Sequence, residues 1–219
     1  HTWQAALRSA GAGCHAVDLV MKGEIENAFC AVRPPGHHAE RNNAMGFCFF
    51  ANASVAARHA LAAHGLERVA IIDFDVHHGN GTEDCCAGDD RILMCSIFQH
   101  PFYPYSGADK PAANMCNVPL AAGCGGEEFR DAVNQVWMPR LKEFKPQLII
   151  ISAGLDGRYE GDMGGLKLVE KDYAWCTEEL KKVAAQFSEK RIVSMLEGGY
   201  VMTSLARSVG AHLRSLADL

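Results

Sequence analysis

The chain has 219 residues, a length that suits one domain spanning 1–219, and 48% of them are hydrophobic, enough for a sizeable core. The formal net charge of -5 offers no basic field to nucleic acid or to an anionic membrane surface. No apolar run approaches the roughly 20 residues that a membrane span requires. Nine cysteines, an odd number without a C-x-x-C pair and mostly inside apolar segments, read as reduced thiols of a cytoplasmic protein rather than as a disulfide scaffold.

In chain order, Trp3, Leu7, Ala10, Cys14, Val17 and Met21 fall on a 3-4-3-4 spacing, which predicts an amphipathic helix with that stripe inward and Gly23 as its stop. Ala28 to Val32 reads as a short buried strand, and the alanine-rich stretch Phe49 to His64 as a helix ended by Gly65. Four further short apolar runs follow: Val69 to Ile72, Ile92 to Ile97, Leu148 to Ile151 and Ile192 to Leu196. Continuous apolar runs of this length are expected of strands buried on both faces. Helical stretches predicted over Glu127 to Phe144, Glu170 to Phe187 and Tyr200 to Leu216 separate or follow them, the last with Met202, Leu205, Val209, Leu213 and Leu216 inward. The alternation predicts an α/β fold, a parallel sheet with helices on both faces. His100 to Cys124 is left as one long irregular stretch, read as a functional loop.

In such sheets, sites form beyond the C-terminal ends of the strands. Four apolar runs lead there into polar clusters: Arg33-Pro-Pro-Gly-His-His38, Asp73-Phe-Asp-Val-His-His78, Ser152-Ala-Gly-Leu-Asp156 and Glu197-Gly-Gly-Tyr200. Residues of an extended segment alternate in direction, so Asp73, Asp75 and His77 share a face. Two carboxylates and an imidazole crowded at a strand end call for a compensating cation, and this donor set suits zinc. Asp156 is the natural third ligand beside Asp75 and His77, and the three leave a coordination position open; on position alone, a helix-capping aspartate is the alternative. His37 and His38 follow a stiff proline turn and make poor joint metal ligands but a serviceable acid/base pair, with Asp73 available to orient His37. Tyr200, at a flexible Gly-Gly elbow, offers a hydroxyl to a developing oxyanion, and Phe47 with Tyr103 or Phe102 could wall a channel.

Together with Gly46-Phe-Cys-Phe49 and the longer stretches Arg33-Pro-Pro-Gly-His-His-Ala-Glu40 and Asp73-Phe-Asp-Val-His-His-Gly-Asn-Gly-Thr82, these clusters resemble the histone deacetylase superfamily, especially its class II members and their bacterial amidohydrolase relatives. The resemblance follows family order over nearly the whole chain. It implies an arginase-like fold and zinc-dependent hydrolysis of an acetyl-lysine amide, with zinc on Asp75, His77 and Asp156. It also implies a tandem pair in which His37 leans on Asp73 and His38, the base and acid, on Asn80. Tyr200 would polarise the acetyl carbonyl; Phe47 and Tyr103, with Gly46 and Met163, would contact substrate. A structural potassium or sodium ion would lie among the carbonyls of Asp73, Asp75, His77 and Ile97 and the Ser96 hydroxyl. Partners implied are an acetylated lysine protein or peptide, or a small acetylated amine, with no nucleic acid or membrane and with self-association left open.

The family's N-terminal portion has no counterpart before His1, so the chain is expected to be the C-terminal part of the family domain. Phe98 stands where the family usually has His. Met163 falls where polyamine-specific relatives carry a discriminating Glu, which favours acyl-lysine over a cationic polyamine. The alternatives kept open are an acetylpolyamine or small-molecule amidohydrolase, and a non-catalytic metal-binding or interaction module.

Overall fold

Buried strands and amphipathic helices alternate along the chain and assemble one sheet with helices on both faces. A computed structural model describes residues 1–219. Its elements are α1 (Thr2–Met21), β1 (Asn27–Cys30), α2 (Asn52–His64), β2 (Val69–Asp73), α3 (Asn80–Cys86), β3 (Ile92–Gln99) and β4 (Met115–Leu120). They continue with α4 (Gly126–Ala132), a π-helical turn (Val133–Trp137), α5 (Met138–Phe144), β5 (Leu148–Ala153), α6 (Glu170–Phe187), β6 (Ile192–Leu196) and α7 (Met202–Leu216). The six strands pair in the order β1-β6-β5-β2-β3-β4, and every pairing is parallel. No helix is long and apolar enough to cross a membrane.

Period-two alternation divides the sheet's side chains between two cores. Ile72, Leu93, Ile97, Ile149 and Ile151 face the layer formed by α4 through α7, around the buried Trp137 and Tyr173. Ile71, Ile92, Met94, Ile150 and Met195 face α1 and α2. Apolar side chains buried like these contribute about 1.5–3 kcal/mol each, which is what holds six strands between two helical layers.

The predicted strands are recovered to within two residues at each end, and α6 to the residue. The inner faces of two helices differ from the predicted stripes. In α1 the buried residues include Ala6, Ala10, Gly13, Val17 and Val20, while Trp3 and Leu7 are exposed. Small residues win because α1 lies against the alanine face of α2, Ala53, Ala56, Ala57 and Ala60. In α7, Ser204, Ser208, His212 and Ser215 are buried, whereas Met202 is exposed; Leu205 and Val209 pack at the margin. The helix predicted over 127–144 contains a π turn just before Pro139, which has no N–H for the carbonyl four residues back. The stretch read as a loop over 100–124 contains β4. Asn117 and Pro119 hide it in the sequence, and its place at the sheet edge tolerates the proline.

Candidate active site

From β2 the chain steps outward to β3 and β4, then returns to place β5 on the other side of β2. The boundary between β2 and β5 is therefore the topological switch point, where open α/β sheets build their clefts. Asp75 and His77 leave β2 and Asp156 leaves β5, so the three flank that boundary. The neighbouring β6 supplies Glu197 to Tyr200, and β1 supplies the segment carrying His37 and His38.

The side chains of Asp75, His77 and Asp156 are buried, and one potential ligand atom from each lies within 4.8 Å of the other two. His77 Nδ1 is 2.9 Å from Asp75 Oδ1 and 3.3 Å from Asp156 Oδ2. Each carboxylate's other oxygen is fixed by a backbone donor: Gly198 N–H donates to Asp75 Oδ2 (2.8 Å), and Val76 N–H donates to Asp156 Oδ1 (3.1 Å). Asp156 Oδ2 has no hydrogen-bond partner although it is buried. Burial and the charge of Asp75 push the Asp156 carboxyl up to about 6. Asp75 is held low: burial opposes this, but the charge of His37 and the bonds from His77 prevail. Burial likewise opposes a charge on His77, yet the adjacent Asp156 and Asp75 carboxylates raise it to about 10. Two carboxylates packed this closely draw a positive charge between them. An imidazole and two carboxylates, one of them with an orphaned buried oxygen, form a donor set that fits a divalent ion of the zinc type.

Beside the triad, His37 Nδ1 lies 3.0 Å from Asp73 Oδ2. Burial disfavours its cation, but the charges of Asp75 and Asp73 outweigh that and raise it well above the ordinary value. His38 behaves oppositely: burial, and then the charge of His37, lower it to about 3. His38 Nδ1 is 2.8 Å from Asn80 Oδ1, while Asn80 Nδ2 donates to Glu40 Oε1 at 2.7 Å. With the amide oriented by that carboxylate, Oδ1 faces the imidazole, so Nδ1 carries the proton and Nε2 keeps its lone pair. The segment is tied down from β6: the buried Glu197 carboxylate accepts from the Gly36 N–H (2.6 Å), the His37 N–H (3.1 Å) and the Ser152 hydroxyl (3.1 Å). Arg33 donates to the Glu197 and Gly199 carbonyls and places its guanidinium 5.3 Å from the Tyr200 ring centroid.

A cleft of about 590 Å³ opens over this floor, lined among others by His38, Gly46, Phe47, Tyr103, Met163 and Tyr200. Phe47 meets Tyr200 edge-on at 5.8 Å and Tyr103 meets His38 edge-on at 5.2 Å. Phe102 stacks on the His77 ring at 5.4 Å, so both aromatics considered from sequence reach the cleft. Gly46 has a φ of +54°, and a Cβ there would lie 2.2 Å from His38 Cδ2; the channel wall and the histidine can touch only through glycine. Ser96 is the register partner of Asp73, with its hydroxyl 3.3 Å from His78 Nδ1. Phe98 packs against the His78 ring at 4.5 Å.

Sequence reasoning missed three acids. Glu40 and Asp162 gave no signal of their own, and Glu197 was read only as the start of the Tyr200 turn. Glu197 bonds a segment about 160 residues away, a relation that spacing along the chain cannot express. An acid at a strand end beside a glycine pair was the only available hint.

The histone deacetylase domain model matches residues 1–216. The chain is 40% identical to a type-2 histone deacetylase 2 of Dictyostelium discoideum over 98% of its own length and 14% of that protein's. It is 39% identical to a histone deacetylase-like amidohydrolase of Pseudomonas aeruginosa over 91% of its length and 54% of that protein's. The crystal structure of the HDA15 HD domain superposes with a TM-score of 0.91 at 33% identity, covering 98% of this chain and 64% of that one. A parallel sheet with polar strand ends gathered at its switch point defines the class, an α/β domain with a candidate metal-binding triad. This chain belongs to the histone deacetylase family. It spans about half the length of its bacterial relative and less than two thirds of the solved domain.

Proposed function

We propose that the protein hydrolyses the amide of an acetylated lysine in a peptide or protein, releasing acetate and the free amine, with zinc held by Asp75, His77 and Asp156. The observation that carries this reading is the convergence of three buried ligand atoms within 4.8 Å at the floor of the cleft. Bound zinc would polarise the acyl oxygen and bring the pKa of water from about 15.7 towards ~7. The chain's own groups do the rest. His38 Nε2 accepts the proton of the attacking water and delivers a proton to the leaving amine. His37, paired with Asp73, keeps positive charge beside the reacting centre. Asn80, oriented by Glu40, holds the tautomer of His38. Burial and the nearby carboxylates raise the Tyr200 phenol, so it stays protonated and donates to the oxyanion of the tetrahedral adduct. Phe47 and Tyr103 flank the lysine methylenes, with Gly46 and Met163 completing the walls.

The carbonyls of Asp73, Asp75, His77 and Ile97 and the Ser96 hydroxyl are proposed to hold a potassium or sodium ion. The pairing of Asp73 with Ser96 supports this all-oxygen donor set. One observation favours a second reading, hydrolysis of a small acetylated amine: the exposed Asp162 lines the cleft beside Met163 and could attract a cation. Turnover of an acetyl-lysine peptide and of acetylputrescine, each with and without a chelator, tests both. The first reading expects chelator-sensitive turnover that favours the peptide. A preference for acetylputrescine supports the second, and turnover indifferent to chelation contradicts the metal in either.

A further inference from the structure

A second constellation of ligand-type side chains lies away from the cleft, between α1 and α2. We propose that Asp18, His59 and His64 form a second metal site that takes a divalent transition ion such as zinc. Asp18 belongs to α1, and His59 and His64 to the last turns of α2. His59 Nε2 and His64 Nε2 each lie 2.7 Å from the same oxygen, Asp18 Oδ1, and the three potential ligand atoms fall within 4.8 Å of one another. The two rings meet nearly at right angles with centroids 5.6 Å apart. His59 and His64 are five positions apart, so they do not share one ridge of α2 as residues three or four apart do. Both side chains nevertheless converge on a point over the neighbouring helix.

A simple ion pair accounts for this arrangement poorly. Two imidazoles crowd one oxygen of Asp18, although donors gain by spreading over a carboxylate's lone pairs. A zinc ion with bonds of about 2.0–2.1 Å puts tetrahedral ligands roughly 3.3–3.4 Å apart, so the 2.7 Å contacts need to open by less than ~1 Å. The side chains are partly exposed, which gives an ion access and leaves water for the fourth position.

The site is remote from the cleft. His64 closes α2 five residues before β2 begins, which places the cluster near the N-terminal edge of the sheet, whereas the triad lies beyond the C-terminal edge. None of the three residues lines the cleft, so their role is independent of the hydrolytic centre.

The test is metal content after equilibrium dialysis against micromolar free zinc, comparing the wild-type chain with a His59→Gln/His64→Gln double variant. The expected result is one zinc fewer per chain in the double variant, with acetyl-lysine turnover unchanged. That difference of one is the readout, so it does not depend on how many ions the cleft holds. Asp18→Asn should lose the same ion, and it serves in place of the double variant should that chain fail to fold. Equal zinc content in wild type and variants overturns the proposal and leaves a histidine-capped carboxylate.

Discussion

A buried polar atom without a partner costs about 1–3 kcal/mol, and Asp156 Oδ2 is such an atom at the centre of the site. A bound cation removes that penalty, so Asp156→Ala should take one zinc per chain with it and nearly all turnover, as metal analysis and a peptide assay would record. In the proposed mechanism, Tyr200→Phe removes only a donor to the oxyanion. It should lower kcat by roughly 10²- to 10³-fold while zinc content stays at the wild-type level; an unchanged kcat would remove Tyr200 from the mechanism. Gly198 supplies the N–H that fixes Asp75, and a Cβ there would sit 2.0 Å from Asp156 Oδ2. Gly198→Ala should therefore weaken zinc binding in a chelator competition, even though the residue carries no side chain to ligate. At this scale the candidate site was legible wherever chemistry is carried by residue type. Asp75, His77 and Asp156, the paired histidines and Tyr200 all stand out as polar residues after apolar runs. Glu40 and Glu197 did not, because their work lies in hydrogen bonds to distant segments.

Helices decide which faces close over the sheet, and α7 does so with polar residues. His212 is fully buried between the Thr177 hydroxyl (2.7 Å) and the Ser194 hydroxyl (2.8 Å). Burial lowers its imidazole from 6.5 to about 4. Between those values the unfolded chain binds a proton that the folded chain refuses, so stability rises with pH across this window. The contribution is complete above about pH 6.5 and is lost as pH falls through about 4, a total of about 3 kcal/mol. Urea midpoints of wild type and His212→Asn at pH 7 and pH 5 check this: the variant should lose less stability on acidification, and equal losses would contradict it. The apolar spacing in α1 and α7 located the helices but only part of their inner faces: Ala10, Val17 and Leu216 are buried as predicted, whereas Trp3, Leu7 and Met202 are exposed. A stripe of large residues looks like a buried face until close packing of two helices favours Ala6, Gly13 and Ala56, or a buried hydrogen-bonded histidine takes the place of a leucine.

Across the whole molecule, strand order turns separate motifs into one centre. The apolar runs foretold a parallel sheet and, through it, an edge where polar ends would gather. They could not give the order β1-β6-β5-β2-β3-β4, which puts the Asp75 and Asp156 segments on neighbouring strands at the switch point. An edge strand with proline and asparagine, β4, escaped because no periodicity marked it. Everything proposed for catalysis rests on a cation at that junction. Anomalous diffraction at the zinc edge from zinc-loaded crystals tests it most directly. The account predicts a peak about 2.0–2.2 Å from His77 Nδ1 and from a carboxylate oxygen of both Asp75 and Asp156. A map with no peak among these three residues, or with Asp156 turned away from it, would contradict the account.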